Sequence, residues 1–95
     1  MAAGDIFADQ QDIANTAFLT VRPVAGKEAV VHNLFYGASV EVYRVTGALV
    51  TEVVAATGAL GNTPGTFHVD STYYIKVKNV SGSNAELGFD GVYTK

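Results

Sequence analysis

The sequence predicts an all-β domain, a single small antiparallel β-sandwich of jelly-roll or immunoglobulin-like type with an extended N-terminal arm. Three observations carry this. Short apolar runs follow one another along the chain, each closed by a Gly, Asn or Ser turn. They recur roughly every 8–12 residues, the spacing of sandwich or barrel strands. No segment of ~10 residues shows the 3.6-residue period of an amphipathic helix, which argues against an α/β fold. The chain divides into an arm, residues 1–15, and a sandwich domain, residues 16–95.

Residues 1–15 stand apart in composition. Asp5, Asp9 and Asp12 lie with Gln10 and Gln11 among Ile6, Phe7 and Ile13. On a helix the three Asp side chains would share one side and repel, so an extended arm with a short strand near its end is expected. Ile6 and Phe7 need something to pack on, either the chain's own core or a neighbouring subunit.

In the next run, Ala17, Leu19 and Val21 alternate with Phe18, Thr20 and Arg22, the period of a half-buried strand. Pro23 stops it, having no N–H to give to a ladder. After a turn at Ala25–Gly26–Lys27 comes Ala29 to Tyr36, apolar enough to be a central strand. From Ser39 to Val45, Val40 and Val42 face one way and Glu41, Tyr43 and Val45 the other. Thr46–Gly47–Ala48 makes a tight hairpin. Leu49 to Ala56 is rich in β-branched residues, which favours strand. Gly58 to Gly65 reads as a loop and Thr66 to Val69 as a brief strand. Thr72 to Asn79 alternates most clearly, with Tyr73, Ile75 and Val77 opposed to Tyr74, Lys76 and Lys78. The last strand, Ala85 to Tyr93, is interrupted at Asp90–Gly91, where the Gly marks a bulge or kink.

The chain has 95 residues, no Cys, no Trp, one Met and two His. A domain this short buries a modest share of its surface and needs outside support. Disulfides are excluded, and no Cys cluster or His-rich tract suggests a metal. Oligomerisation remains. It suits a chain that is 48% hydrophobic and only 16% charged, against about 25% charged in ordinary domains. The net charge is −3 and the six Lys and Arg are scattered, so no nucleic-acid partner is expected. No run approaches the ~20 apolar residues of a membrane span. The first ten residues have neither the basic start nor the apolar stretch of a signal peptide. The expected location is a cytoplasm, or a larger particle assembled there.

Candidate chemistry is sparse. His68, Asp70 and Ser71 can be written as a nucleophilic set, but no Gly-x-Ser-x-Gly elbow accompanies them. His32 is read instead as a hydrogen-bonded residue of a buried strand, and His68 as a surface or interface residue. Asp5, Asp9 and Asp12 lack the turn and closing Glu of a calcium loop. The Gly58–Gly65 loop has no Lys and no following helix, so it is not a phosphate loop. Asn79–Val80–Ser81 fits the glycosylation sequon by coincidence. No catalytic residue, cofactor or metal is expected. In the pairs Phe35–Tyr36 and Tyr73–Tyr74, neighbours point to opposite faces, so one of each leaves the core. Exposed tyrosine favours a binding or assembly role.

Several segments resemble small virion proteins of tailed bacteriophages: Met1 to Ile6, Phe18 to Glu28, Val31–His32–Asn33–Leu34, Phe67–His68–Val69, Tyr73 to Gly82 and Gly88 to Lys95. The likeness leaves the middle hairpin region uncovered, and its motifs are structural. It implies a capsid decoration (cement) protein or a related head or tail fibre component. Such proteins often form trimers on the outer capsid surface, where they clamp the major capsid protein against the pressure of packaged DNA. The contacts expected on this reading are Ile6 and Phe7 of the arm and the strand aromatics Tyr36 and Tyr74. The alternatives are a receptor- or glycan-binding tip, drawing on Tyr36, Tyr43, Tyr74 and the Gly58–Gly65 loop, and a small hydrolase using His68.

Overall fold

The computed structural model of the chain describes residues 2–56 and 61–95. Among them are eight strands and no helix: β1 Ile6–Ile13, β2 Phe18–Val21, β3 Glu28–Tyr36, β4 Val40–Thr46, β5 Leu49–Ala56, β6 Gly61–Asp70, β7 Tyr73–Asn79 and β8 Ala85–Tyr93. They form two four-stranded sheets, β1-β8-β3-β6 and β2-β7-β4-β5. Every pairing is antiparallel.

The pairings are nested. β4 pairs with β5, β3 with β6, β2 with β7 and β1 with β8. The chain is thus one long folded ribbon whose tip is the β4–β5 hairpin. Successive pairs of the ribbon fall in alternate sheets, and β3–β8 and β4–β7 contacts complete each sheet. This is the order of a jelly roll, and it decides between the two sandwich types that strand spacing left open. At the tip, Thr46 faces Leu49 across two residues, and Gly47 takes φ +58°. A positive φ at the first central position is the mark of a type II′ turn, whose twist matches that of the flanking strands.

β1 takes up most of the stretch expected as an arm. It is extended, but it pairs with β8 along its whole length, from Ile6 opposite Val92 to Ile13 opposite Ala85. Phe7 and Ile13 point into the core. The Phe7 ring lies 4.8 Å from that of Phe89 and 5.0 Å from that of Tyr93. The sandwich therefore begins before residue 16.

The core follows from alternation: Leu19 and Val21, Val40 and Val42, Ile75 and Val77, and Leu87 and Phe89 all point inward. β3 breaks step. Its buried residues are Ala29, Val31 and Leu34, and its register with both neighbours shifts between Val31 and Asn33. His32 sits at this bulge and is exposed, which corrects the expectation of a buried, hydrogen-bonded histidine. The sequence had placed an irregularity at Asp90–Gly91. β8 runs unbroken there, and the extra residue lies opposite, in β3. Gly91 is what lets the bulge approach, since a Cβ at that position would lie 2.0 Å from the Val30 carbonyl oxygen.

β6 is longer than the brief strand expected. It starts at Gly61, so residues 61–64 of the expected loop pair with β3, and Gly65 falls at the register shift. Pro64 and the glycines are tolerated because β6 is an edge strand with an irregular register beside them. Residues 57–60 of that loop lie outside the described residues.

Among the described residues, the one buried polar side chain is Asn79. Its Nδ2 donates to the carbonyls of Ile13 (2.8 Å) and Ser83 (2.7 Å). Its Oδ1 accepts from the Ser81 backbone N–H (3.0 Å) and hydroxyl (2.7 Å). Its own backbone N–H donates to Ala17 O, and its carbonyl accepts from Thr16 N–H. With the side chain buried and both ends of its amide engaged, the sequon at this position is not available in the folded chain.

Two substitutions test this account by urea unfolding. Gly91→Ala should cost about 3 kcal/mol, because Val30 or Val31 backbone must move to admit the methyl. Gly37→Ala, whose Cβ would meet Glu86 O at an ordinary 3.5 Å, should be nearly silent; equal effects would remove the steric explanation. Asn79→Ala should also cost about 3 kcal/mol, since it takes the amide donor from the buried Ile13 carbonyl and the acceptor from the Ser81 N–H. A loss below about 1 kcal/mol would mean that water replaces the amide.

Candidate functional site

The alternation that fills the core also builds the outer face of the β2-β7-β4-β5 sheet. With Leu19 and Val21 turned inward, Phe18 and Thr20 turn outward. With Ile75 and Val77 inward, Tyr74, Lys76 and Lys78 turn outward. Glu41, Tyr43 and Val45 do the same on β4. The registers set Phe18 opposite Lys78, Thr20 opposite Lys76, Lys76 opposite Tyr43 and Lys78 opposite Glu41.

These side chains interlock. Phe18 is 43% exposed. The Lys76 and Lys78 ammonium groups lie 5.3 and 5.9 Å from its ring centroid. Such contacts contribute about 0.5–1 kcal/mol each at exposed sites. The Tyr43 ring meets Phe18 edge-on at 6.1 Å, and its hydroxyl donates to Glu41 Oε1 at 2.5 Å. That hydrogen bond, then partial burial, then the charges of Glu41 and Glu52 push the Tyr43 phenol up to about 12. Arg22 lies 4.5 Å over the Tyr74 ring and donates through Nε and Nη2 to the Ser71 carbonyl. Val45, opposite Tyr74 and Val50, is buried on this outer face rather than in the core cluster.

Beside this face, β5 is the open edge of the sheet. Leu49, Val50 and Val53 on it are 74%, 57% and 49% exposed. The residues expected to make contacts do not converge. Ile6 is 74% exposed on β1. Phe7 is enclosed in the core, so it is not available to a second chain. Tyr36 is half-buried and packs against the core. Tyr74 is half-buried beneath Arg22. Alternation set Phe18 on the face opposite Leu19 and Val21, and the structure shows that face to be the outer one. The β5 residues were not placed in this way, because Leu49–Val50–Thr51–Glu52–Val53–Val54 shows no two-residue alternation that would assign a face.

His68 and Asp70 line a shallow cleft of about 130 Å³ at one end of the sandwich, with Glu28, Arg44 and Tyr73. Asp70 Oδ1 accepts the backbone N–H groups of Tyr73 (2.7 Å) and Thr72 (2.8 Å). Those bonds, helped by the Arg44 charge, hold its carboxyl below the usual range. Arg44 donates to the His68 carbonyl, not to its ring. Among the described residues no hydrogen bond joins the His68 side chain to Asp70 or Ser71, so the three are neighbours in sequence without forming a relay.

Comparisons with known protein families and with curated proteins find no match to this chain.

The Tyr43–Glu41 pair gives a pH test. Folding holds the phenol protonated to a higher pH than in the unfolded chain. Its stabilising contribution is intact below pH 10 and is lost as pH rises from 10 to about 12. In a phenolate absorbance titration, one of the five tyrosines should titrate last, and Glu41→Gln should bring it back toward the others. A variant with an unchanged titration would show that Glu41 is not the cause.

Proposed function

We propose that this chain is a structural virion protein, a capsid decoration (cement) protein that binds the outer surface of a bacteriophage head as a homotrimer and stabilises it. The observation that carries the reading is the apolar β5 edge, which is interrupted by a bulge at Val53 and carries a single charge, Glu52. Sheets normally blunt their edges with charge, proline or short strands, to prevent pairing with other chains. Here β1 carries Asp9 and Asp12, β2 has four residues and ends before Pro23, and β6 contains Pro64. β5 has no Lys, Arg or Pro and one acid, Glu52. An apolar edge of this kind fits a surface that another subunit covers.

Two further points support the reading. The chain's segments resemble small virion proteins, and jelly rolls build many viral capsid domains, although lectins share the architecture. A receptor- or glycan-binding tip draws less support. Of its three tyrosines, Tyr36 packs against the core from β3, while Tyr43 and Tyr74 lie on the outer face of the other sheet.

The deciding experiment is rebinding of purified protein to heads stripped of it, beside native mass by light scattering. Saturable rebinding by a trimer is the expected result, and failure to bind heads overturns the proposal. Val50→Lys, on an exposed side chain, should convert the trimer to a monomer that keeps the circular dichroism spectrum of the wild type and melts at a lower temperature. A trimer that survives would move the contact away from β5.

A further inference from the structure

We infer that the β2–β7 half of the outer sheet face is a docking surface for an extended acidic polypeptide segment. For the partner's identity as a capsid protein this rests on the function proposed above, but the surface itself does not depend on it.

The chain as a whole is acidic, with net charge −3 and six Lys and Arg. Three of those six, Arg22, Lys76 and Lys78, belong to this one face. Arg22 is committed to the Ser71 carbonyl and the Tyr74 ring. The two lysines are not committed to any carboxylate, since the one ion pair among the described residues joins Lys95 to Glu28. Glu41 stands opposite Lys78 but takes the Tyr43 hydroxyl instead. Both ammonium groups are gathered over Phe18, so two unpaired cations flank an exposed ring.

The shape selects among anions. Among the described residues, clefts lie off this face, at residues such as Arg44 and Asp70 or Gln10 and Glu86. A flat face cannot enclose a small ion. Lys76 and Lys78 are alternate residues of one strand, so their Cα atoms are about 6.4–6.8 Å apart. Alternate side chains of an extended peptide repeat at the same interval. Acidic residues two apart on such a segment would meet both lysines, while the residue between them points away, and an apolar neighbour would cover Phe18.

Binding to poly-L-glutamate, measured by titration at low and moderate salt, is the direct probe. Alginate and duplex DNA serve as polyanions of other kinds. The wild type should bind poly-L-glutamate, weakening as salt rises. The Lys76→Glu/Lys78→Glu double variant should lose at least tenfold in affinity with an unchanged circular dichroism spectrum. Phe18→Ser should lose severalfold, with the lysines intact. Binding absent in the wild type, or equal in the double variant, overturns the inference, and so does tighter binding to alginate or DNA. On stripped heads the same double variant should bind at least tenfold more weakly. Equal head binding by both proteins would overturn the capsid protein as the partner of this surface and leave the head-binding function standing. Lysine-dependent poly-L-glutamate binding by a protein that ignores heads would do the reverse.

Discussion

A ribbon that wraps from one sheet to the other must turn corners, and at each corner backbone groups leave one ladder before joining the next. Asn79 resolves this at the corner where β1–β8 passes into β2–β7. One buried amide holds the carbonyl that ends β1, and it also ties the turn that leads into β8. Its backbone holds Thr16 and Ala17 just before β2. Thr16 itself takes φ +68°, a left-handed conformation costly for a β-branched residue. The strain persists because the hydrogen bonds around it leave no other path. The next corner uses the same device from the surface: Asp70 caps the β6–β7 turn, and Arg22, just past β2, grips the Ser71 carbonyl.

The two broad faces follow from one alternation but differ in character. Inside, Leu, Val and Ile side chains fill the gap between sheets, and the aromatic cluster of Phe7, Phe89 and Tyr93 closes the β1–β8 side. Outside, on the β2-β7-β4-β5 sheet, the same period delivers an interlocked layer of aromatic rings, amines and carboxylates. That layer is held together by weak individual contacts, so its geometry is set by the rigid strands beneath. A binding surface on such strands keeps its spacing without a partner present, which lowers the ordering cost of association.

Strands with clean alternation or firm punctuation were readable from sequence. β2, β4 and β7 fall where period and turn residues put them, and the Gly47 hairpin is where the tip of the ribbon lies. β1 was harder. Asp9, Gln10, Gln11 and Asp12 form a polar stretch without visible period, and only pairing with β8 shows that the flanking Phe7 and Ile13 are core. β6 was truncated in the reading because Gly61, Pro64 and Gly65 resemble loop residues, and only its edge position makes them acceptable in a strand. Strand order was not legible at all, since nested pairing is a long-range property. On the surface, Phe18 could be placed by alternation, and Lys76 and Lys78 were seen on one face of a strand. Their gathering around one ring depends on the β2–β7 register, which local pattern does not contain.

The nested pairing also orders events in time. A ribosome releases β1 first and its partner β8 last, with the whole ribbon in between. Until the final strand emerges, Phe7 and Ile13 have no ladder to join, and the central strand β3 has β6 but not β8. The β4–β5 hairpin, by contrast, closes as soon as it is made. Folding of this chain can therefore start at its middle during synthesis and finish only once β8 has emerged. The β1–β8 pair is the last of the nested pairs that can form, so Phe7 and Ile13 wait longest for their partners.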